Sequence, residues 1–161
     1  MSFELTTAQQ LLIPFKAGQI HWRVGSVTKD KSKAMALAYL DSRDVMRRLD
    51  DVLGIDGWQC NYTTDGDVLI CNIGIKVNGQ WVWRANGGAE SNTEPEKGKA
   101  SSAFKRAAVL FGIGRYLYQM PNKWCAIDQY KNLTETPPLP QWATPEGYIK
   151  IIEKQQANKN D

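Results

Sequence analysis

Two tight-turn signals divide the middle of the chain into three strand-length segments, and this pattern constrains the fold more than any other feature. Residues 58–63 alternate large and polar side chains and run into Asp65-Gly66. Residues 68–77 follow and end at Asn78-Gly79, after which residues 80–86 alternate again. Asp-Gly and Asn-Gly favour two-residue hairpin turns, because both central positions need a positive φ. The pattern predicts a three-stranded antiparallel meander, one face of which must be covered because it is strongly aromatic.

An alanine-rich segment after the meander predicts its cover. Residues 97–118 show the clearest helical pattern in the chain, and on a wheel of about 100° per residue the apolar side chains fall within one arc. We therefore predict an α+β fold in which three strands are followed by one long helix. Gly112 and Gly114 each cost about 1 kcal/mol inside a helix, which indicates either a helix end or close packing, and we favour close packing. The apolar arc consists of Ala100, Ala103, Phe104, Ala107, Leu110 and Phe111.

Shorter elements are predicted on both sides of this core. Asp41 is a suitable N-cap for a helix that reaches Leu53 and ends at Gly54. Thr144 and Pro145 mark the start of a short last helix in the same way. The other predicted segments are a short helix over 6–15, a polar loop over 25–33 and irregular chain over 120–142.

Two basic strips flank the apolar arc of the predicted long helix. Lys105 lies on one strip and Arg106 on the other. A helix packed through its arc would present these cations along its margins, which suits a phosphate backbone, because such backbones are bound mainly by Lys and Arg along a track. Spacing alone leaves open the alternative of an ordinary solvated helix face. One strip comprises Lys97, Ser101, Lys105, Ala108, Gly112 and Arg115, and the other comprises Lys99 and Arg106.

Further candidates for nucleic-acid contact lie in the earlier helix and the third strand. Arg43 has no acidic residue four positions away, whereas the next two arginines have aspartates at that spacing that can neutralise them. Trp81 and Trp83, which precede Arg84, are candidates for stacking on unpaired bases, a contact worth roughly 1–3 kcal/mol per base. A tryptophan at strand spacing also suits a hydrophobic core, so that alternative stays open.

The composition excludes several kinds of site. A net charge of +3 is too small to attract a polyanion to the whole molecule, so a nucleic-acid site must be a local patch. The three cysteines and the single histidine, His21, show no zinc-site spacing and give little scope for nucleophilic catalysis. For the same reason we expect no metal or other cofactor. No signal peptide or membrane span is apparent, so we expect a cytoplasmic protein. Turns and a helix start explain the carboxylates that could otherwise hold magnesium in a nuclease: Asp65, Asp67, Glu90, Glu94 and Glu96.

Four segments in this order resemble the annealing domain of the Rad52 family. They are IHWRVG at 20–25, the run at 36–58, the meander, and KGKASSAFKRAAVLFGIGRYLY at 97–118. The resemblance spans about residues 5–130. It is greatest to the compact bacteriophage proteins of the Sak type.

The resemblance implies a β-β-β-α core whose subunits assemble into rings or open helical arcs. It also implies that single-stranded DNA lies in a basic groove with its bases outward, and that annealing needs no nucleotide or metal. By motif, Lys105 and Arg106 match the family's helix-borne DNA contacts, and Arg43 matches its basic residue in the earlier helix. The chain departs from the family at Ile55, where an aromatic residue is usual, and at Val109, in a stretch where a further basic residue is expected.

The sequence thus predicts a multimeric, non-enzymatic protein that binds single-stranded DNA and anneals complementary strands in recombination and repair. We expect one annealing domain over residues 1–143 and a short helix with a polar tail over 144–161. Expected partners are single-stranded DNA, further copies of the chain, and a host or phage single-strand-binding protein or exonuclease, but no membrane. Two alternatives remain: a monomeric module for single-stranded DNA or RNA that does not anneal, and a magnesium-dependent nuclease.

Overall fold

The backbone forms an α+β structure with two three-stranded antiparallel sheets. The computed structural model describes residues 3–88 and 96–159, with the backbone alone at 96 and 97. The chain divides into two compact units, one formed by Met1–Leu12 with Ser42–Arg115 and the other by Ile13–Asp41 with Tyr116–Asp161. The elements are α1 (Thr7–Leu12), β1 (Ile20–Val27), β2 (Lys33–Leu40), α2 (Ser42–Leu53), β3 (Trp58–Asp65), β4 (Val68–Val77), β5 (Gln80–Gly88), α3 (Glu96–Val109), β6 (Trp124–Ala126) and α4 (Pro145–Ala157).

The predicted meander is confirmed as the β3-β4-β5 sheet of the first unit. The Asn78-Gly79 turn has the positive φ angles that its sequence predicts, 51° and 77°. In the first hairpin Asp65 pairs with Val68, so the two-residue loop is Gly66-Asp67, and Gly66 has φ 59° whereas Asp65 does not have the predicted positive φ. The expected annealing domain over 1–143 stays a prediction, since compact units in a structure do not by themselves mark independent domains.

Helix α3 covers one face of the meander, as the sequence predicts. Phe104 is fully buried and its ring lies 6.0 Å from that of Trp58 on β3. The opposing side chains of β4, including Ile73, are buried as well. The apolar side chains of α3 that are buried are Ala103, Phe104, Ala107 and Ala108. The predicted arc is wrong at Ala100, which is exposed, and Leu110 and Phe111 follow the end of the helix.

The prediction of one helix as far as residue 118 is wrong, because α3 ends at Val109 and a separate 3-10 turn follows at Arg115–Gln119. Gly112 has φ 99° and Gly114 has φ 73°, a left-handed conformation that no continuing helix contains. Close packing also applies at Gly112, where a Cβ atom would lie 2.7 Å from a methyl carbon of Leu12. The two glycines therefore end the helix, and one of them also leaves room for α1.

The predicted α2 and α4 are confirmed. Helix α2 ends at Leu53 and is followed by Gly54 with φ 79°. At the start of α4 the Thr144 hydroxyl accepts a hydrogen bond from the Gly147 amide at 3.1 Å.

The β1-β2-β6 sheet of the second unit was only partly predicted. Strand β1 continues to Val27 and β2 begins at Lys33, so the predicted loop over 25–33 shortens to residues 28–32. The pairing of β1 with β2 shifts by one residue between Val24 and Val27, a β-bulge that interrupts the alternation. Strand β6 is three residues long within a segment predicted as irregular, and it pairs with β2. One face of this sheet is buried through Ile20, Ala34, Ala36, Leu40 and Cys125.

Candidate nucleic-acid interface

The cations of α3 lie on the two flanks of the buried arc, as the sequence predicts. Lys99, Lys105 and Arg106 are half-buried at the side-chain level. Lys105 and Arg106 are adjacent in sequence, so they point about 100° apart around the helix and reach opposite margins. Ala108, which was placed on the basic strip with Lys105, is fully buried and belongs to the packing face.

Arg106 extends to the end of β5. A Cβ atom added to Gly88 would collide with its guanidinium Nη1 atom, so the guanidinium lies directly against the backbone of this glycine. Any larger residue at position 88 would have to displace Arg106. Gly88 therefore leaves room for the guanidinium of a candidate DNA contact, and sequence analysis missed it because the predicted third strand ended at residue 86.

Arg84 and Arg115 both contact the C-terminal end of α3. Arg84 donates from Nη1 to the carbonyl oxygen of Leu110, and its guanidinium carbon lies 5.1 Å above the ring of Phe111. Arg115 donates from Nε to Val109 at 3.1 Å and from Nη2 to Leu110 at 2.9 Å. Cations suit this place, because the last carbonyls of a helix have no partner within it and carry partial negative charge. These contacts give both arginines a structural role, and a contact with DNA stays a prediction for each.

Because Arg115 and Gly112 follow the end of α3, they do not extend the strip that begins with Lys105. The predicted six-residue strip is wrong beyond Lys105. The side chain of Lys97, its first member, lies outside the described residues. The part of the strip that the structure supports is thus Ser101 and Lys105, both half-buried on α3.

Trp81 and Trp83 lie on the face of the meander opposite to α3. In the sheet register Trp83 pairs with Gly74, whereas Arg84 pairs with the buried Ile73 on the side that α3 covers. The two tryptophans are 40% and 45% exposed, and the centroids of their rings lie 6.4 Å apart. Gly74 makes room for Trp83, since a Cβ atom there would lie 2.8 Å from the indole. The sequence placed the two tryptophans beside Arg84, but the structure puts Arg84 on the opposite face of the sheet. Both tryptophans are nevertheless exposed.

The arginines of α2 differ in their partners. Arg43 is exposed near the start of the helix. Arg47 lies 3.9 Å from Asp44, three positions earlier, in a long pair whose arginine is exposed and whose energetic weight is small. Arg48 donates from Nη1 to the carbonyl oxygens of Gln10 and Leu11, each at 3.4 Å, at the end of α1. The structural role expected for Arg48 is thus supported by a contact that differs from the predicted i,i+4 pair.

A second surface with cations and rings, which sequence analysis missed, lies on the exposed face of the β1-β2-β6 sheet. His21 and Arg23 are exposed there, and their neighbours across the strands are Tyr39 and Leu37. The His21 and Tyr39 rings lie 5.4 Å apart. Trp124 on β6 is 47% exposed and pairs with Met35. No acidic residue occurs in these three strands, so the face combines rings and positive charge, as single-strand binding surfaces do.

The signal for this face was present in the sequence as alternation. Buried Ile20, Ala34 and Ala36 alternate along β1 and β2 with the residues named above. The pairing of β6 with β2 could not be read from the sequence, because Trp124 and Met35 are far apart along the chain. Sequence analysis had weighed His21 only as a zinc ligand or a catalytic residue.

The side chains between β3, β4 and α3 hold three ionisable groups that stay protonated at neutral pH. Burial raises the pKa of Cys71 to about 11 and that of Tyr62 to about 12. Burial raises the pKa of the Cys60 thiol as well. A reactive thiol nucleophile needs a lowered pKa instead.

In residues 3–88 and 96–159 the structure contains no cluster of three or more His, Cys, Asp or Glu side chains that could hold a metal ion. Glu90 and Glu94 lie outside the described residues.

Comparison with known proteins assigns the chain to a family. The sequence matches the Rad52/22 family of double-strand break repair proteins over residues 4–65 and 65–135. The chain belongs to this family. It is also 38% identical to a protein of Deinococcus deserti named single-stranded DNA-binding protein DdrA, over 86% of the chain and 70% of that protein. The protein of the same name from Deinococcus radiodurans is 33% identical to the chain, over 86% of the chain and 67% of that protein.

No helix in the described parts of the chain is long and apolar enough to cross a membrane.

Proposed function

We propose that this protein binds single-stranded DNA and, as an assembly of several copies, anneals complementary strands without ATP or metal. Membership of a double-strand break repair family and two relatives named single-stranded DNA-binding proteins support this proposal. The observation that carries it is the placement of Lys105 and Arg106 on the outer flanks of a helix whose other side is locked into the meander. Cations on a rigid helix suit a phosphate backbone, because little side-chain and backbone freedom is lost on binding.

The mechanism follows from many weak contacts acting together. Each copy holds a few phosphates through cations such as Lys105 and Arg106, and an assembly multiplies the strength of binding because successive contacts become intramolecular. Annealing also requires the bases of the held strand to face outward and remain available for pairing. Protein contacts with the DNA backbone leave the bases available, whereas stacking of every base on protein side chains would block pairing.

The remaining predicted DNA contacts have different support. Arg43 is exposed on α2, and Lys99 lies on the same flank of α3 as Arg106. Arg23, on the exposed face of the β1-β2-β6 sheet, is an additional candidate. Base stacking by Trp81 and Trp83 stays a prediction that their exposure permits.

The test is strand annealing by a double variant, Lys105→Ala with Arg106→Ala. We expect annealing of complementary oligonucleotides without ATP or metal to be lost, while circular dichroism and the assembly state stay unchanged. The matched control removes two exposed lysines of α4, Lys150→Ala with Lys154→Ala, and should anneal normally. Normal annealing by the Lys105 and Arg106 double variant at physiological salt would show that the site is elsewhere.

A non-annealing monomeric module is the main alternative. Size-exclusion chromatography with light scattering separates the two, because an annealing assembly elutes as a multimer. A nuclease would instead consume its substrate when magnesium is added. The cytoplasmic location, the phage origin and the partnership with a single-strand-binding protein or exonuclease stay predictions.

A further inference from the structure

Two turns lie side by side at one end of the β1-β2-β6 sheet. The first is the turn between β1 and β2, and the second follows β6 and closes through a bridge between Ile127 and Leu133. They are joined by the pairing of Lys33 with Ala126 and by a hydrogen bond of 3.1 Å from the Ile127 amide to the Ser32 carbonyl. The two turns therefore form one surface, and all of it belongs to the second unit.

Each turn uses its aspartate to hold its own backbone. Asp30 accepts hydrogen bonds from the Thr28 hydroxyl at 2.7 Å, the Ser32 hydroxyl at 2.7 Å and the Ser32 amide at 3.1 Å. These bonds lower the pKa of Asp30 to about 2. In the second turn Asp128 accepts from the amides of Tyr130 and Asn132, each at 2.9 Å.

A third carboxylate near the second turn is used in the same way. Glu135 accepts a hydrogen bond of 3.0 Å from the amide of Ala126. The acidic groups of both turns thus accept hydrogen bonds from amides and hydroxyls of the turns and of the neighbouring β6.

The lysines of the two turns point into solvent. Lys29, Lys31, Lys33 and Lys131 are exposed, and across the described ranges 3–88 and 96–159 none of them forms an ion pair. Lys31 has φ 58° and Lys131 has φ 62°, so both turns place a lysine in the left-handed conformation that non-glycine residues seldom adopt. Tyr130, beside Lys131, is 75% exposed. Three ammonium groups and one ring therefore project from two internally braced turns, and Lys33 adds a fourth ammonium group at the start of β2.

These turns continue the exposed face of the sheet. Lys33 lies on the same face of the sheet as Trp124 and Arg23. The buried Ala34 lies on the opposite face. Leu37, the neighbour of Arg23 across the strands, lies four positions after Lys33, which corresponds to about 13 Å along a strand. Cations and rings thus alternate from the turns along the face, an arrangement that tracks an unpaired strand through its phosphates and stacks some of its bases.

We propose that the two turns form a phosphate clamp, in which Lys29, Lys31, Lys33 and Lys131 hold the backbone of a single strand lying along the exposed face of the β1-β2-β6 sheet. The proposal rests on the proposed binding of single-stranded DNA and adds a site on the second unit, separate from the cations of α3. The clamp recognises the sugar-phosphate backbone and not the base sequence, because lysine ammonium groups are point charges without a fixed fork of donors.

The test compares the salt dependence of oligothymidylate binding between two triple variants. The first, Lys29→Gln with Lys31→Gln and Lys131→Gln, removes the turn cations and keeps long side chains at the left-handed positions. The matched control, Lys150→Gln with Lys154→Gln and Lys159→Gln, removes three exposed lysines of the same unit. Each lost contact with single-strand phosphate lowers the slope of log K against log salt by about 0.7, so the turn variant should lose about 2 from its slope and the control none.

Two further measurements make the outcome decisive. Replacing the same three turn lysines by arginine should restore the slope, because the charge returns while the contact does not need a particular ammonium geometry. Circular dichroism should show an unchanged fold for all variants. An equal slope in the turn variant, the control and the unchanged protein overturns the clamp, whereas a failure of the unchanged protein to bind oligothymidylate at all overturns the proposed function itself.

Discussion

The two sheets have the same number of strands and the same antiparallel pairing, yet they differ in how they are built and in what they expose. The β3-β4-β5 sheet is a continuous meander with two-residue turns and regular register, and α3 buries one face of it. The β1-β2-β6 sheet contains a bulge, and its third strand comes from a distant part of the chain. The comparison shows that local turn chemistry suffices for the first sheet, whereas the second needs a long-range pairing.

The sheets also differ in how charge and rings are distributed. On the meander, the candidate cations Lys105 and Arg106 lie on the covering helix, and the exposed tryptophans lie on the other face of the sheet with Lys76 opposite Trp81. On the β1-β2-β6 sheet, rings and cations share one exposed face. We therefore expect the first unit to bind DNA mainly through charge, and the second to combine charge with stacking.

The largest expected effect concerns the covered face of the meander. Phe104→Ala removes a fully buried ring that contacts Trp58 and should lower the free energy of unfolding by about 3–5 kcal/mol. Denaturant unfolding followed by tryptophan fluorescence measures it. Ile151→Ala, which changes an exposed residue of α4, is the control and should change stability by less than about 0.5 kcal/mol. A loss below about 1 kcal/mol in Phe104→Ala would mean that α3 does not hold the sheet together.

The next effect separates the exposed faces of the two sheets. Trp124→Ala should weaken binding of single-stranded DNA by about 1–3 kcal/mol, because its ring lies on a face that also carries Arg23. Trp83→Ala should weaken binding by less, because Lys76 is the one cation on its sheet face within the described residues. Fluorescence anisotropy with a labelled oligonucleotide measures both affinities. The opposite order would assign the stacking role to the tryptophans of the meander.

A smaller effect concerns the positioning of Arg106. Gly88→Ala should displace the guanidinium, because the new methyl group takes its place against the backbone. We expect the affinity for single-stranded DNA to fall by less than about 1 kcal/mol and by less than in Arg106→Ala, because the displaced guanidinium keeps its charge. The double variant should bind no more weakly than Arg106→Ala alone, since both changes act through the same side chain. Additive losses in the double variant would show that Gly88 acts independently of Arg106.

The smallest expected effect concerns the acid resistance of the turn between β1 and β2. The pKa of Asp30 is lowered to about 2 from its ordinary value of 3.8 by its hydrogen bonds. A lowered pKa in the folded state means that the carboxylate stabilises the turn fully above pH 3.8, and that this contribution is lost as the pH falls towards 2. Nuclear magnetic resonance of the Ser32 amide should therefore show the turn intact at pH 3. Loss of the amide shift between pH 5 and 4 would contradict the bonding seen here.

The success of prediction varied with the range of the interactions involved. The hairpins at Gly66 and Asn78-Gly79 were predictable because their residues favour the turn whatever surrounds them. The end of α3 was misplaced because an apolar pattern continues past Val109, and only the positive φ of Gly112, close to Leu12, shows that the helix stops. The cations Lys105 and Arg106 were found from periodicity, whereas the contacts of Arg84 and Arg115 with α3 carbonyls depend on where that helix ends.

The sequence by itself determined the meander, the buried residues Ala103, Phe104 and Ala107 of α3, the glycine after α2, the cap of α4 and the resemblance to an annealing family, since each of these depends on residues close together in the chain. Tertiary structure decided which face of a strand is covered, which arginines cap a helix, and that Trp124 joins Arg23 and Tyr39 on one surface. The physical reason is that side-chain alternation assigns residues to two faces but does not say which of them another element will bury. That choice is made when distant segments pack together.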